Sequence, residues 1–196
     1  EYVNIKSRFG HWKDVAISIE GEAVFSLSMM FLQFFDFTSK TKSDYLSYKV
    51  STEKFMGQGM VQPFSDSPTD DEAISENAHL NLIKKYVYSV TRPKYERLTK
   101  NGVKIYEYTP GFVHGKVMVA DGKMAIVGTS NLDFRSYYLH FECGALIIDS
   151  PILEDIVSDY VETLNKSKEI TLKMALQTPL FIKVYRAIMN VFAALF

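Results

Sequence analysis

The sequence predicts an α/β sandwich, a mixed and mostly buried β-sheet flanked by helices. Three observations predict it. Short apolar runs rich in β-branched residues alternate with helical stretches along the chain. Those runs are apolar enough to be buried on both faces. And 47% hydrophobic with 23% charged residues over 196 positions is the composition of a folded chain long enough for a real core.

Taken in order, Val15–Ile19 reads as a short buried strand ended by Glu20-Gly21. Residues 22–37 read as a helix apolar almost all round, the pattern of a helix deep in a core or against a partner. Residues 38–54 read as loop, and 57–72 carry turn chemistry with an acidic end that leads into a helix over 71–85. Tyr86–Val90 is strand-like and 93–100 a short helix stopped at Asn101-Gly102. Val103–Tyr108 is a strand. Lys116–Ala120 and Met124–Val127 form a hairpin closed at Asp121-Gly122. Residues 143–149 make a further strand, and 151–165 a helix starting at Pro151, a favoured first-turn residue. From Pro179 to Phe196 the chain is strongly apolar, with Lys183, Arg186 and Asn190 recurring on one side. That pattern fits an amphipathic helix in a membrane interface or a helix packed on another part of a longer protein.

Composition narrows the chemistry. The balance of 22 Lys+Arg against 23 Asp+Glu gives a net charge of -1, against the basic excess of dedicated nucleic-acid binders. A single cysteine, Cys143, allows no intramolecular disulfide and no cysteine metal cluster. The four histidines show no paired metal-ligand spacing, so no metal is expected. No uncharged run reaches the roughly 20 residues that span a bilayer. The chain starts at Glu1 without a signal segment and reads as part of a longer protein.

Two stretches echo each other. His11–Gly21 and His140–Ser150 each run from an aromatic and an acidic residue, Asp14 or Glu142, through an apolar strand to an acidic turn and an apolar helix. The echo suggests a duplicated protein, although two strand–helix units can also resemble each other by chance.

The chemistry gathers at His114-Gly115-Lys116. On a strand, residues two apart share a face, so an imidazole and an ammonium lie side by side. The imidazole can attack phosphorus or move a proton, and the ammonium neutralises phosphate oxygens. The hairpin then returns Gly128-Thr129-Ser130-Asn131, with a glycine for close approach and hydroxyl and amide donors for the same phosphate. A working histidine also needs an acid on its other nitrogen, and Glu142 on the following strand is the best candidate. Asp121 completes the ordered pattern but also belongs to an ordinary hairpin turn.

The set H-x-K-x4-D followed by G-T-S-N resembles the HKD motif of the phospholipase D superfamily. The surrounding residues are similar to bacterial cardiolipin synthases. Gly128 to Ser136 and Leu139-His140-Phe141-Glu142 look like their second motif block, and Trp12-Lys13-Asp14 to Gly21 like the stretch after their first. Val61 to Pro68 resembles their mid-protein loop, and the tail from Pro179-Leu180 their C-terminus. The resemblance thus covers nearly the whole chain. It implies the second half of a duplicated phospholipase D-like sandwich with a C-terminal amphipathic helix. Residues 1–37 would end the first repeat, 38–72 connect, 73–170 form the second domain, and 171–196 lie at a membrane interface. Within that domain, Lys84 to Leu98 runs on without the strand–helix–strand segment the family carries.

The resemblance also implies an activity: two phosphatidylglycerol molecules give cardiolipin and glycerol through a phosphohistidine, without cofactor or metal. The catalytic residues would be His114, Lys116 and Asp121, with His114 as acid/base. Lys116, Thr129, Ser130 and Asn131 would hold phosphate. Glu142 would orient His114, and Asp14 would orient a first-motif histidine that these 196 residues do not contain. The implied partners are phosphatidylglycerol and anionic membrane lipid, with no nucleic acid, and a first HKD half in cis or a second chain in trans. The implied location is the bacterial cytoplasmic membrane, with this stretch at most peripheral. A phospholipase D-like phosphodiesterase or nuclease acting as a dimer stays open, as does an inert lipid-binding remnant.

Overall fold

Side chains alternate across a strand, so a strand apolar at every position needs cover on both faces. Four strands form a sheet with an apolar cluster on each of its faces. The computed structural model describes residues 4–5, 10–51, 55, 57–68 and 95–177. Its main sheet is made of β2 (Met60–Asp66), β5 (Lys116–Ala120), β6 (Met124–Gly128) and β7 (Glu142–Ile148). Their order is β2-β7-β6-β5, antiparallel throughout. Ala125, Val127 and Ile147 face one side, where Leu153 and Ile156 of helix α4 (Ile152–Asn165) cover them. Val15, Ile17, Val117 and Val119 pack around that cluster. The opposite side holds Phe64, Ala120 and Ile126, with Met118, Met124 and Leu146 against them. The hairpin predicted at 116–127 is present. Asp121 and Gly122 both take positive φ, 53° and 66°, the sense of turn that matches strand twist.

Two small pairings flank the sheet. β1 (His11–Lys13) runs parallel to β4 (Gly111–Val113), and β3 (Ile105–Tyr108) antiparallel to β8 (Ser167–Ile170). Helices α1 (Ala23–Ser39), α2 (Tyr95–Lys100), α3 (Phe134–Tyr138) and α5 (Leu172–Leu176), with a short 3-10 helix at Tyr45–Tyr48 inside the stretch read as loop, complete the described elements.

Several expectations change. Val15–Ile19 is not a strand: only His11–Lys13 pairs, and Val15 and Ile17 reach the core from unpaired extended chain. Residues 57–72 are not all turn, because Met60–Asp66 forms an edge strand, so the 38–72 stretch is more than a connection. Pro63 is compatible there, since an edge strand can spare one amide donor. Helix α1 is present but not deep in a core. It buries Leu32 and Asp36, while Phe31 and Phe37 are 65% and 77% exposed. A helix apolar all round offers several stripes, and only one meets this sheet's β2 edge. The helix over 71–85, the strand at 86–90 and the tail from 179 to 196 lie outside the described residues.

Ile147 is 1% exposed at the centre of the larger cluster. Ile147→Ala is expected to lower the unfolding free energy by about 2–5 kcal/mol. Urea denaturation checks this, and a loss well under 1 kcal/mol would place the core elsewhere.

Candidate active site

His114 and Gly115 precede β5 and take no part in its ladder, so something else must fix them. Their amides both donate to the carbonyl of Lys13, at 2.7 and 3.1 Å. Lys13 ends β1, which is itself held on its outer side. The Asn4 side-chain amide accepts from Trp12 N at 2.7 Å and donates to Trp12 O at 2.9 Å, like a one-residue strand. Gly115 is needed where it is: a Cβ there would lie 2.7 Å from a methyl of Val15. Residues 11–15 therefore form a strap laid directly over the entrance to β5.

The strap also supplies chemistry. His114 Nδ1 lies 3.1 Å from Asp14 Oδ2, although the two residues are 100 apart in sequence. A carboxylate on Nδ1 selects the Nδ1–H tautomer and puts the ring's lone pair on Nε2, the nitrogen left for proton or phosphoryl transfer. The rings of Trp12 and Phe112 stand 5.7 and 6.5 Å from the imidazole and limit its rotation. Burial raises the Asp14 carboxyl, but the Val15 amide, the His114 ring and the Lys116 charge outweigh it, and the net shift is downward from 3.8.

Lys116 opens β5 opposite Gly128. Partial burial pulls its ammonium below the usual lysine range, against the carboxylates of Asp14, Glu142 and Asp133, which push it up. An ammonium short of water in this way gains more from a phosphate than an exposed one would. Gly128 has no room for a side chain, since a Cβ would meet Cys143 O at 2.6 Å. The close approach it allows is to strand β7.

Asn131 lies just after strand β6. Its amide donates to Ser136 Oγ at 3.0 Å, and Ser136 N donates to Asp133 Oδ1 at 2.7 Å. Ser136 is almost completely buried, so this turn is anchored into the protein. Asp14, His114, Lys116, Ser130 and Asn131 all line one cavity of about 700 Å³ that runs on past Tyr106 to Tyr160.

The site residues predicted from sequence therefore divide. His114, Lys116, Ser130 and Asn131 come together at the cavity wall, Ser130 with little surface exposed. Asp121 does not: it is past the far end of β5, five residues or roughly 17 Å from Lys116 and further still from His114. It lies in the β5–β6 hairpin turn. The Thr129 hydroxyl is bonded to the Glu142 carboxylate and accepts from Cys143 N at 3.0 Å, so it braces β7. Neither orienting acid has the partner expected of it. Asp14, expected to serve a histidine outside this chain, faces His114. Glu142, expected on His114, is buried under Thr129 with His140 Nδ1 at 3.7 Å.

Asp14 takes His114 because the strap approaches the ring more closely than β7, two ladders away in the same sheet, can. Sequence reading missed Asn4, Lys13 and Ser136 as supports. Asp133, three residues before Ser136 at the start of α3, was a legible cap signal. Among the described residues, no group of three or more His, Cys, Asp or Glu side chains is placed to hold a metal ion.

Fold and cleft define an α/β protein whose histidine, lysine and asparagine converge on one cavity wall. The family model for the cardiolipin synthase, PLD-like domain matches residues 68–167, about half of the chain, and the chain belongs to that family. A curated relative from Streptococcus mutans, named only as an uncharacterized protein, is 37% identical over 217 residues, covering 87% of this chain and 46% of its own length. A cardiolipin synthase from Geobacillus sp. (strain WCH70) is 29% identical over 241 residues, covering 100% of this chain and 48% of that protein. The chain thus spans about half the length of the curated relatives it matches. The Geobacillus match runs over 241 residues against 196 here, so that relative carries segments with no counterpart in this chain. A solved phospholipase D family member, Nuc from Salmonella typhimurium, superposes with a TM-score of 0.46 at 13% identity, covering 58% of this chain and 99% of that one.

The Asp14 contact is testable by titration. A carboxyl whose folded pKa is depressed contributes stability that is complete above the unfolded value and is lost as pH falls through the folded one. Asp14 should titrate below 3.8 by carboxyl NMR, and His114→Ala should move its midpoint upward. An unchanged midpoint in that variant would mean the ion pair does not form.

Proposed function

We propose that this chain is the second half of a cardiolipin synthase, moving a phosphatidyl group between two phosphatidylglycerol molecules. The observation that carries it is the His114–Asp14 pair beside Lys116 and Asn131, inside a family matched by cardiolipin synthases. A histidine Nε2 attacks the phosphorus of one phosphatidylglycerol. The P–O bond to glycerol breaks, and a second imidazolium gives its proton to the departing glycerol oxygen. The hydroxyl of another phosphatidylglycerol then attacks phosphorus, that imidazole takes its proton, and the P–N bond breaks. Lys116 and Asn131 hold the phosphate oxygens as charge develops on them. His114 is the acid/base, and a first-motif histidine, in cis or from another chain, is the nucleophile.

Duplication gives Glu142 its part. The echo equates Asp14 with Glu142. If Asp14, from the end of the first repeat, orients the histidine of the second, then Glu142 orients the histidine of the first. That crossed assignment leaves each half dependent on the other for a correctly held ring. No described helix is long and apolar enough to cross a bilayer. The apolar tail with its basic stripe, and any first half, would supply the hold on a bacterial membrane.

The test uses the two-half protein and labelled phosphatidylglycerol. His114→Ala is expected to reduce cardiolipin formation by at least about 10²-fold. Cardiolipin at the normal rate from that variant would overturn the proposal.

A further inference from the structure

The strap carries the group that orients His114, so what holds the strap decides whether the site exists. On its inner side its main chain is pinned by the two amides of His114 and Gly115. Those bonds fix the strap to the loop it is meant to position, and the two could shift together. A second anchor, on an element that does not move with the loop, is needed to define where Asp14 stands. The structure has one. The Lys13 ammonium is bonded to the carboxylate of Asp159 on α4, 146 residues away. Helix α4 is fastened independently, through Leu153 and Ile156 in the core of the sheet.

We infer that Lys13 and Asp159 are positioning residues that lock Asp14 onto the His114 ring by tying the strap to helix α4. Alternation makes this specific. Lys13 and Asp14 are adjacent in extended chain, so their side chains leave on opposite sides. One grips the helix while the other reaches the imidazole. The Lys13 carbonyl, between them, takes the amides of the catalytic loop. Glu162, one turn further along α4, adds negative charge felt at Lys13, but it is paired with Lys166, which leaves Asp159 as the anchor.

The pair is partly exposed, with side-chain exposures of 23% and 44%, so its contribution to overall stability is small. Its effect is on geometry, where a displacement of about 1 Å is enough to weaken a catalytic contact by up to about 100-fold. The inference takes His114 as the working imidazole of the proposed transfer, but its test reads the ring itself and needs no turnover.

The experiment is imidazole ¹⁵N NMR of His114 in the 196-residue chain near neutral pH. The wild-type ring should show a single held tautomer, protonated at Nδ1. Asp159→Asn and Lys13→Gln should each shift the pattern towards the averaged tautomers of a free imidazole, the same change that Asp14→Asn produces. Asp159→Glu and Lys13→Arg should keep the wild-type pattern, as should the reversed pair Lys13→Asp with Asp159→Lys. Amide spectra and thermal melting of each variant separate a local change at the ring from loss of fold. Wild-type ¹⁵N shifts in folded Asp159→Asn would overturn the inference. So would a ring change in Asp159→Glu equal to that in Asp159→Asn, which would point to helix packing and not to the charge. In the two-half protein the neutralised variants should lose about tenfold in kcat with little change in KM. A change confined to KM would contradict a positioning role.

Discussion

Everything at the site depends on two amide protons donated to one carbonyl. His114 and Gly115 are outside the ladder of the sheet, and their N–H groups would otherwise have to be satisfied by water or left unpaired. The carbonyl of Lys13 takes both. That single constraint sets the path of the residues entering β5, the need for glycine at 115, and the side from which Asp14 meets the imidazole. The hydrophobic sheet supplies a rigid floor, but the sheet alone would leave the histidine on a free end.

Much of the architecture was legible because it is local. The β5–β6 hairpin is written in two apolar runs joined by Asp-Gly, and the turn takes the positive φ values that this pair favours. Helix α4 follows from Pro151 and its apolar spacing. Strand β2 was hidden because glycine, proline and serine around it read as turn, and edge strands tolerate such residues. The exposed face of α1 was unreadable for another reason: an apolar stripe records that something covers it, not what. Of the site, the motif residues were legible as a set. Which acid meets which ring was not, because a strap and a loop about 100 residues apart in sequence share no local pattern.

The electrostatics around Lys116 favour an anion without inviting just any cation partner. The charges of Asp14, Glu142 and Asp133 push the ammonium's pKa up, while partial burial, the larger influence, pulls it below the usual lysine range. Asp14 and Glu142 are already committed, one to His114 and the other to Thr129. Asp133 caps the turn that carries Asn131. The acids therefore act on the ammonium through the field while each also holds a neighbour by a hydrogen bond. What is left facing the cavity is the lysine's own donor capacity.

The parallel pairing of β1 with β4 also sets an order of events during folding. Residues 11–13 meet residues 111–113 across a closed loop of about a hundred residues, and contacts of that span form late because the chain entropy must be lost before they are gained. On a ribosome the strap emerges before β4, β5 and helix α4, and has no docking there until they have followed it out. The Asp14 carboxylate thus reaches the His114 ring only once both ends of this long loop are in place, and a chain that has not closed it has no acid held on that ring.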